Sequence, residues 1–284
     1  MKLPRSAVWI ALLVLFLGSM SMIILQTVQH QTGDAALQDA LLLAKTSAQP
    51  AAETPAPSVQ VLNIPLLGVR GIPDAAADSL AQIELAPLRH QNPDILGWIS
   101  IPGTNISYPL LQGEDNDYYL NNTWDHRPSY QGSIFMECKN NANLEDFNTI
   151  LYGHNLLDGT MFSQLHFYKD ETFLRENPFI YLVTKTGILR YRIYAVYETP
   201  IDRITYRLRF DDSQKQAFLE NGLSRSLYDT GVTPTTGDSI LTLSTCTGVI
   251  RTNRWVVQAV LEGIVVSPGD LKDPGITTAL TIIN

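Results

Sequence analysis

Cys246 ends the apolar run LTLSTC and is followed by Thr247-Gly248, a pair that can turn the chain. A thiol at a strand end that faces a turn is exposed enough to react; the competing reading is a small hydrophobe closing a core strand. A thiol nucleophile needs a base or a cation beside it. Unperturbed Cys and His differ by about two pKa units in the wrong direction, so forming a thiolate–imidazolium pair costs roughly 3 kcal/mol unless other charges help.

Five histidines could supply the base. His30 lies in a spacer, His90 in a helical lead-in, His126 in the polar loop NNTWDHRPS and His166 in a predicted helix, where solvent-facing or packing roles suffice. Only His154 joins an apolar strand end (TILYG) to a polar loop (NLLDG). A cation follows from hairpin logic. Seven residues (TGVIRTN) separate Cys246 from Arg254, which opens the next apolar run, RWVVQAV. If the two runs pair antiparallel, Arg254 comes to lie opposite Cys246, with cross-strand neighbours about 5 Å apart at Cβ. A guanidinium there can stabilise both the thiolate and the oxyanion that develops as the thiol attacks a carbonyl. Arg251, inside the loop, is the rival; a strand-held side chain is the better positioned of the two.

The elements that must carry these groups are mostly strands. SIFMEC (133–138), NTILYGH (148–154), DSILTLSTC (238–246) and RWVVQAVLEGIVV (254–266) read as strands, and FIYLVT–KTG–ILRYRIYAVYE as a hairpin. GWISIPGTNISYPLL reads as two strands broken at Pro102-Gly103. DAAADSLAQIELAPLRHQN predicts a helical lead-in, DGTMFSQL a helix capped by Asp158, DETFLREN a helix stopping before Pro178, and 211–227 the best helix of the second half. Many strands with a few short helices predict a mainly β fold, a closed or nearly closed barrel with helical decoration.

The N-terminus has a different character. Lys2 and Arg5 precede an uncharged apolar run, Ala7–Leu25, whose nineteen residues span roughly 28 Å as a helix, close to the thickness of a bilayer core. The flank QTVQHQTG offers no small-x-small cleavage site, which favours a retained anchor over a removed signal. The flanking cations place the N-terminus in the cytoplasm and the rest outside, as a single-pass membrane protein. The expected division is an anchor over 1–25, an extracellular spacer over 26–65 (with a short helix in GDAALQDALLLAK and the Pro-rich linker TSAQPAAETPAPS), a catalytic domain over 66–266 and a tail over 267–284.

The net charge of -8 and the lack of a basic cluster exclude nucleic acid as the partner. Two cysteines, Cys138 and Cys246, cannot build a disulfide scaffold. No His-x-x-x-His or Cys-x-x-Cys pattern, no Gly-rich phosphate loop and no ligand-spaced run of acids is present, so neither a metal nor a cofactor is expected.

The segments ILYGHN, DGTMF, LTLSTC and RWVVQAV resemble those of sortases, specifically class B. NPDILGWISIPGTNISYPLLQGEDNDYYLNN and GSIFMECKN extend the resemblance over roughly residues 90–265. The helix at 211–227 is similar to the extra helix of class B members. The resemblance implies an eight-stranded β-barrel and a cysteine transpeptidase that cleaves the C-terminal sorting signal of secreted proteins near a Thr. It implies a thioacyl enzyme resolved by an amine, either a cell-wall cross-bridge or a pilin Lys. It also implies Cys246 as nucleophile, His154 as general acid and Arg254 as the oxyanion or substrate-positioning residue. Thr245 would support the oxyanion, and Asn116, Leu120, Tyr152 and Ser244 would line the substrate groove, with Thr205 and Tyr206 on its variable wall. Two departures stand out: the Cys246–Arg254 loop is shorter than in typical class B members, and Thr247 stands where an acid often follows the cysteine. Cys138 has no catalytic counterpart and reads as structural. A Cys–His peptidase or amidase using water, and a non-catalytic membrane-tethered binding barrel, are the alternatives.

Overall fold

The computed structural model describes residues 5–46, 60–61, 79–248 and 252–266. Most of the Pro-rich linker, the start of the lead-in, Arg251 and the tail at 267–284 lie outside the described residues.

Eight strands close a mixed barrel: β2 (Ile95–Ser100), β3 (Ser107–Leu111), β4 (Ile134–Met136), β5 (Asn148–Tyr152), β6 (Phe179–Thr184), β7 (Gly187–Pro200), β8 (Ile240–Cys246) and β9 (Asn253–Val266). The order β9-β7-β6-β2-β3-β4-β5-β8 is closed by pairing of β8 with β9, and the two-residue β1 (Gln60–Val61) adds to the far side of β9. β3–β4 and β5–β8 run parallel, and the other pairs are antiparallel. Closure leaves few edges to aggregate, and the inward side chains of opposed strands fill the lumen. Ile99, Leu110, Ile134, Leu151, Phe162, Leu182, Ile193, Leu243 and Val257 make up much of that interior. β8 has a partner on both sides, which explains why Ile240–Thr245 are all buried although the run contains Thr and Ser.

The helix Asp212–Arg225 (α4) begins with a capping box. The Asp211 carboxylate accepts from the Gln214 N–H, and the Gln214 side chain reaches back to the Asp211 backbone. Its Phe218 and Leu219 pack on Tyr194, Tyr197, Ile240 and Val256, outside the barrel. Gly222 lets it approach closely, because a Cβ there would run into Gln258.

Three segments differ from the expectation. The predicted helix after Asp158 is a turn instead: Asp158 Oδ1 accepts from both the N–H and the hydroxyl of Thr160, and Gly159 and Met161 hold φ of +80° and +54°. Helical structure resumes as a 3-10 segment, Ser163–Lys169, followed by the predicted helix before Pro178, α3 (Glu171–Glu176). The lead-in is not one helix: residues 79–80 are helical, a turn follows at 81–82, and a separate short helix, α2, spans Ala86–Gln91 with Pro87 in its first turn. Residues 26–46, read as the start of a spacer, continue one helix, α1, from Arg5 to Thr46. Two requirements share that helix. Its first half exposes Trp9, Leu12–Leu17 and Met22–Leu25, and it is long and apolar enough to cross a membrane. Its second half buries Ala36, Ala40 and Ala44, one residue per turn on one face, against a cluster containing Trp98, Leu111 and Trp124. Small side chains let the helix axis come close. Trp124 Nε1 donates to the Ala36 carbonyl at 2.6 Å, and a Cβ on Gly33 would collide with Gln131.

Candidate active site

Strand register alone brings two of the sequence-predicted groups together. β8 and β9 pair with Cys246 opposite Arg254 and Thr245 opposite Trp255, as the hairpin argument required. β5 lies on the other side of β8 and parallel to it, with Tyr152 beside Ser244. His154 and Cys246 each follow two residues later, so both leave the same end of adjacent strands, which in a sheet are spaced about 4.8 Å apart. The residue after His154 reports that proximity directly: Asn155 Nδ2 donates to the Cys246 carbonyl at 2.9 Å.

His166 comes to the same carbonyl. Its Nε2 lies 3.2 Å from the Cys246 oxygen and donates in the tautomer that carries the proton there. The imidazole stacks on Trp255, ring centres 5.4 Å apart, and Trp255 Nε1 is fixed by the Leu165 carbonyl. Burial lowers the His166 pKa, which keeps the ring neutral. His166 is thus a packing residue, but one packed against the end of β8 that carries Cys246.

His154 is held from the opposite side. Its Nε2 is 2.8 Å from the Leu120 carbonyl, and because a carbonyl only accepts, Nε2 must carry a proton. That leaves Nδ1 as the nitrogen that can take or give one. Tyr130 stacks on the ring, nearly parallel at 12° with centres 6.2 Å apart. Leu120 therefore enters the site through its backbone, at the end of the 3-10 turn Tyr118–Leu120.

Asn116 and Tyr152 meet on a residue that belongs to none of the sequence-predicted site groups. Glu137, almost buried, accepts from Asn116 Nδ2 at 2.8 Å and from the Tyr152 hydroxyl at 3.0 Å. Asn116 Oδ1 in turn accepts the Cys138 N–H at 2.9 Å. The Cys138 thiol points back to Glu137 Oε1, and burial together with that carboxylate raises its pKa, so it stays protonated. The only sequence signal for Glu137 is a charge inside the strand-like SIFMEC.

Ser244 and Tyr206 share a hydrogen bond of 2.8 Å. Burial pushes the Tyr206 phenol up to about 12, and its bond to Ser244, two residues before Cys246, brings the 199–208 loop to the Cys246 end of β8. That loop is braced by Asp202, which accepts from the Thr199 hydroxyl and the Thr205 N–H and pairs with Arg225 of α4 at 2.7 Å. Burial pushes its carboxyl up, but these hydrogen bonds outweigh it and hold the pKa below the ordinary value. Thr205 itself is fully buried, its hydroxyl turned to Tyr197 and Asp202, so it supports the wall from behind. The Thr245 hydroxyl is also buried, without a hydrogen-bond partner, on the face of β8 away from Ser244 and Cys246. Any contribution of Thr245 to an oxyanion would therefore come through its backbone.

Among the described residues, no group of three His, Cys, Asp or Glu side chains is placed to hold a metal ion. The arrangement offers a thiol, a cation opposite it and an imidazole with one free nitrogen. That set can form and resolve a thioester.

Residues 99–262 match the model of the sortase domain. Sortase B of Listeria monocytogenes is 40% identical over 167 residues, which cover 57% of this chain and 67% of that protein. Sortase B of Staphylococcus aureus is 37% identical over 156 residues, 55% of this chain and 64% of that protein. Among solved structures, sortase B of Bacillus anthracis superimposes with a TM-score of 0.65 at 30% identity, covering 84% of this chain and all of that one. A Staphylococcus aureus sortase B–substrate complex gives 0.60 at 36% identity, covering 66% and 87%. With a sortase domain across more than half its length, a closed barrel of the same form and a cysteine at the barrel rim, this chain belongs to the sortase family, as a cysteine transpeptidase of class B.

Proposed function

We propose that the enzyme cleaves the C-terminal sorting signal of secreted proteins and transfers them to an amine, with Cys246 as nucleophile, His154 as proton carrier and Arg254 as the cation at the oxyanion. The pairing of Cys246 with Arg254 at the barrel end, beside the residue pair His154-Asn155, is the observation that carries this reading.

The Cys246 thiolate attacks the carbonyl of the scissile bond near a Thr, forming a C–S bond and an oxyanion. The Arg254 guanidinium balances that charge in a partly dry site, where such a contact is worth more than in water. Collapse breaks the C–N bond as the protonated His154 gives its Nδ1 proton to the departing amine. The acceptor amine then loses a proton to His154 as it attacks the thioester, a new amide forms and the Cys246 thiolate leaves. Asn116, Leu120, Tyr152, Ser244 and Tyr206 bound the groove in which the signal lies, and the sortase B–substrate complex among the similar structures supports such a groove. Class B character favours a cell-wall cross-bridge amine over a pilin Lys as acceptor. Residues 7–25 anchor the enzyme in the cytoplasmic membrane as a single span, with the barrel outside.

The test is intact-mass analysis of the barrel incubated with sorting-signal peptides, with and without a glycine-based amine. A thioacyl adduct absent from Cys246→Ala, converted to an amide-linked product by the amine, is expected. Release as free acid despite abundant amine would instead identify a hydrolase, and no adduct with any peptide would point to a binding barrel.

A further inference from the structure

The anchor helix and the His154 side of the site are joined by a set of polar contacts along the Gln29–Asp34 stretch of α1, beginning just beyond its apolar run. Ser129 Oγ donates to the Gln29 carbonyl, Gln131 Nε2 lies 3.1 Å from His30 Nδ1 and 3.0 Å from Asp34 Oδ1, and His30 Nε2 pairs with Asp158 at 2.9 Å. Two loops are pinned there: the one carrying Tyr130, between Ser129 and Gln131, and the one carrying Leu157, next to Asp158. Both lie next to His154, since Tyr130 stacks on it and Leu157 follows it by three residues.

The height of the first of these contacts is set by helix geometry. The apolar run ends at Leu25, and Gln29 and His30 stand four and five residues on, roughly 6 and 7.5 Å along the axis. The headgroup layer on each side of a bilayer is about 5–7 Å thick. α1 is unbroken through this stretch, so docked loops cannot retreat from the surface. At that level Leu157 is fully exposed and Tyr130 is exposed too. Single exposed apolar side chains are ordinary on proteins. These two are distinguished by being tied, through neighbouring residues, to the point where the helix would leave a membrane. Asp158 is bonded to His30 and Asp34 to Gln131, and the exposed tips beside them are one aliphatic and one aromatic, types suited to the lipid–water boundary.

We infer that this rim rests on the phospholipid surface, with Leu157 and Tyr130 seated among the headgroups, so that the His154 side of the active site opens at the membrane face. The inference rests on the proposed anchoring of residues 7–25. A mouth at that height favours reactants held by the same leaflet over reactants arriving from solution.

The test uses the full chain reconstituted in phosphatidylglycerol–phosphatidylcholine vesicles, with a benzophenone amino acid replacing one residue at a time and lipid adducts read by mass. Leu157 is the test position and Leu17 reports whether α1 lies in the bilayer. Leu227, exposed beyond α4 on the side of the barrel whose core cluster contains no α1 residue, sets the background. Lipid adducts at Leu17 and at Leu157, the latter several-fold above Leu227, are expected. Adducts at Leu17 with Leu157 at the Leu227 level would overturn the inference and leave the anchoring intact. No adduct at Leu17 would overturn the anchoring and the inference with it. Leu157 has no side-chain partner to lose, so the labelled chain keeps its fold, checked by an unchanged Tm.

Discussion

The two sides of the site are built on different principles. Cys246 and Arg254 are placed by the backbone: their strands pair over seven consecutive positions, and β8 is flanked on both sides. His154 lies just past the end of β5, and its ring is placed by a single carbonyl, Leu120, and a stacked Tyr130. The loop carrying Tyr130 is in turn held by α1, about a hundred residues away in sequence. Strand register resists local change, because slipping by one residue would turn every inward side chain outward. A side-chain network yields to the loss of one member. Cys246 is therefore the rigid partner, and His154 is the one the rest of the molecule can tune.

The largest effect is expected where this contrast meets chemistry. His154→Ala should lower kcat/KM for a sorting peptide by about 10² to 10⁴-fold, the usual range for a lost acid–base group. Arg254→Ala should cost about 10² to 10³-fold, with Arg254→Lys recovering part of it. In both, Cys246 stays on its strand and should still be alkylated by iodoacetamide. Near wild-type turnover in either variant would remove that residue from the proposed mechanism.

Trp124→Ala comes next. It removes a buried side chain and the hydrogen bond to Ala36 that fastens α1, at a cost of about 3–5 kcal/mol. Thermal melts of the full chain should show a lower Tm, and below the transition turnover should fall while Cys246 alkylation does not. An unchanged Tm would mean that α1 does not brace the loop.

The smallest effect concerns the 199–208 loop at the Cys246 end of β8. The Asp202 carboxyl is held below its ordinary pKa, so its stabilisation is present above the unfolded-state value and is lost as pH falls through the folded-state value. Wild type should exceed Asp202→Asn by about 1–2 kcal/mol near neutrality, and the gap should close on acidification. Denaturant titrations at several pH values would show this, and a gap constant with pH would assign the loss to shape rather than charge.

The amino-acid sequence by itself specified the β-rich barrel, the Lys185-Thr186-Gly187 hairpin, the capped helix after Asp211 and the Cys246–Arg254 hairpin. Each follows from local rules: alternation of burial, turn chemistry, a capping box and antiparallel arithmetic across a short loop. Local rules failed where distant parts decide. The turn after Asp158 is stabilised by its own Asp and Gly but read as a helix start, since an Asp serves both. Residues 26–46 resembled a spacer because the Ala36–Ala40–Ala44 stripe is nearly invisible as a hydrophobic pattern, yet it suits a close helix–barrel contact. Glu137 beneath Asn116 and Tyr152, His166 and Asn155 on the Cys246 carbonyl, and Tyr130 on His154 join residues from separate strands and loops. Only barrel closure and the docking of α1 decide those contacts, because their geometry depends on which strands become neighbours and carries no signature in the spacing of the residues themselves.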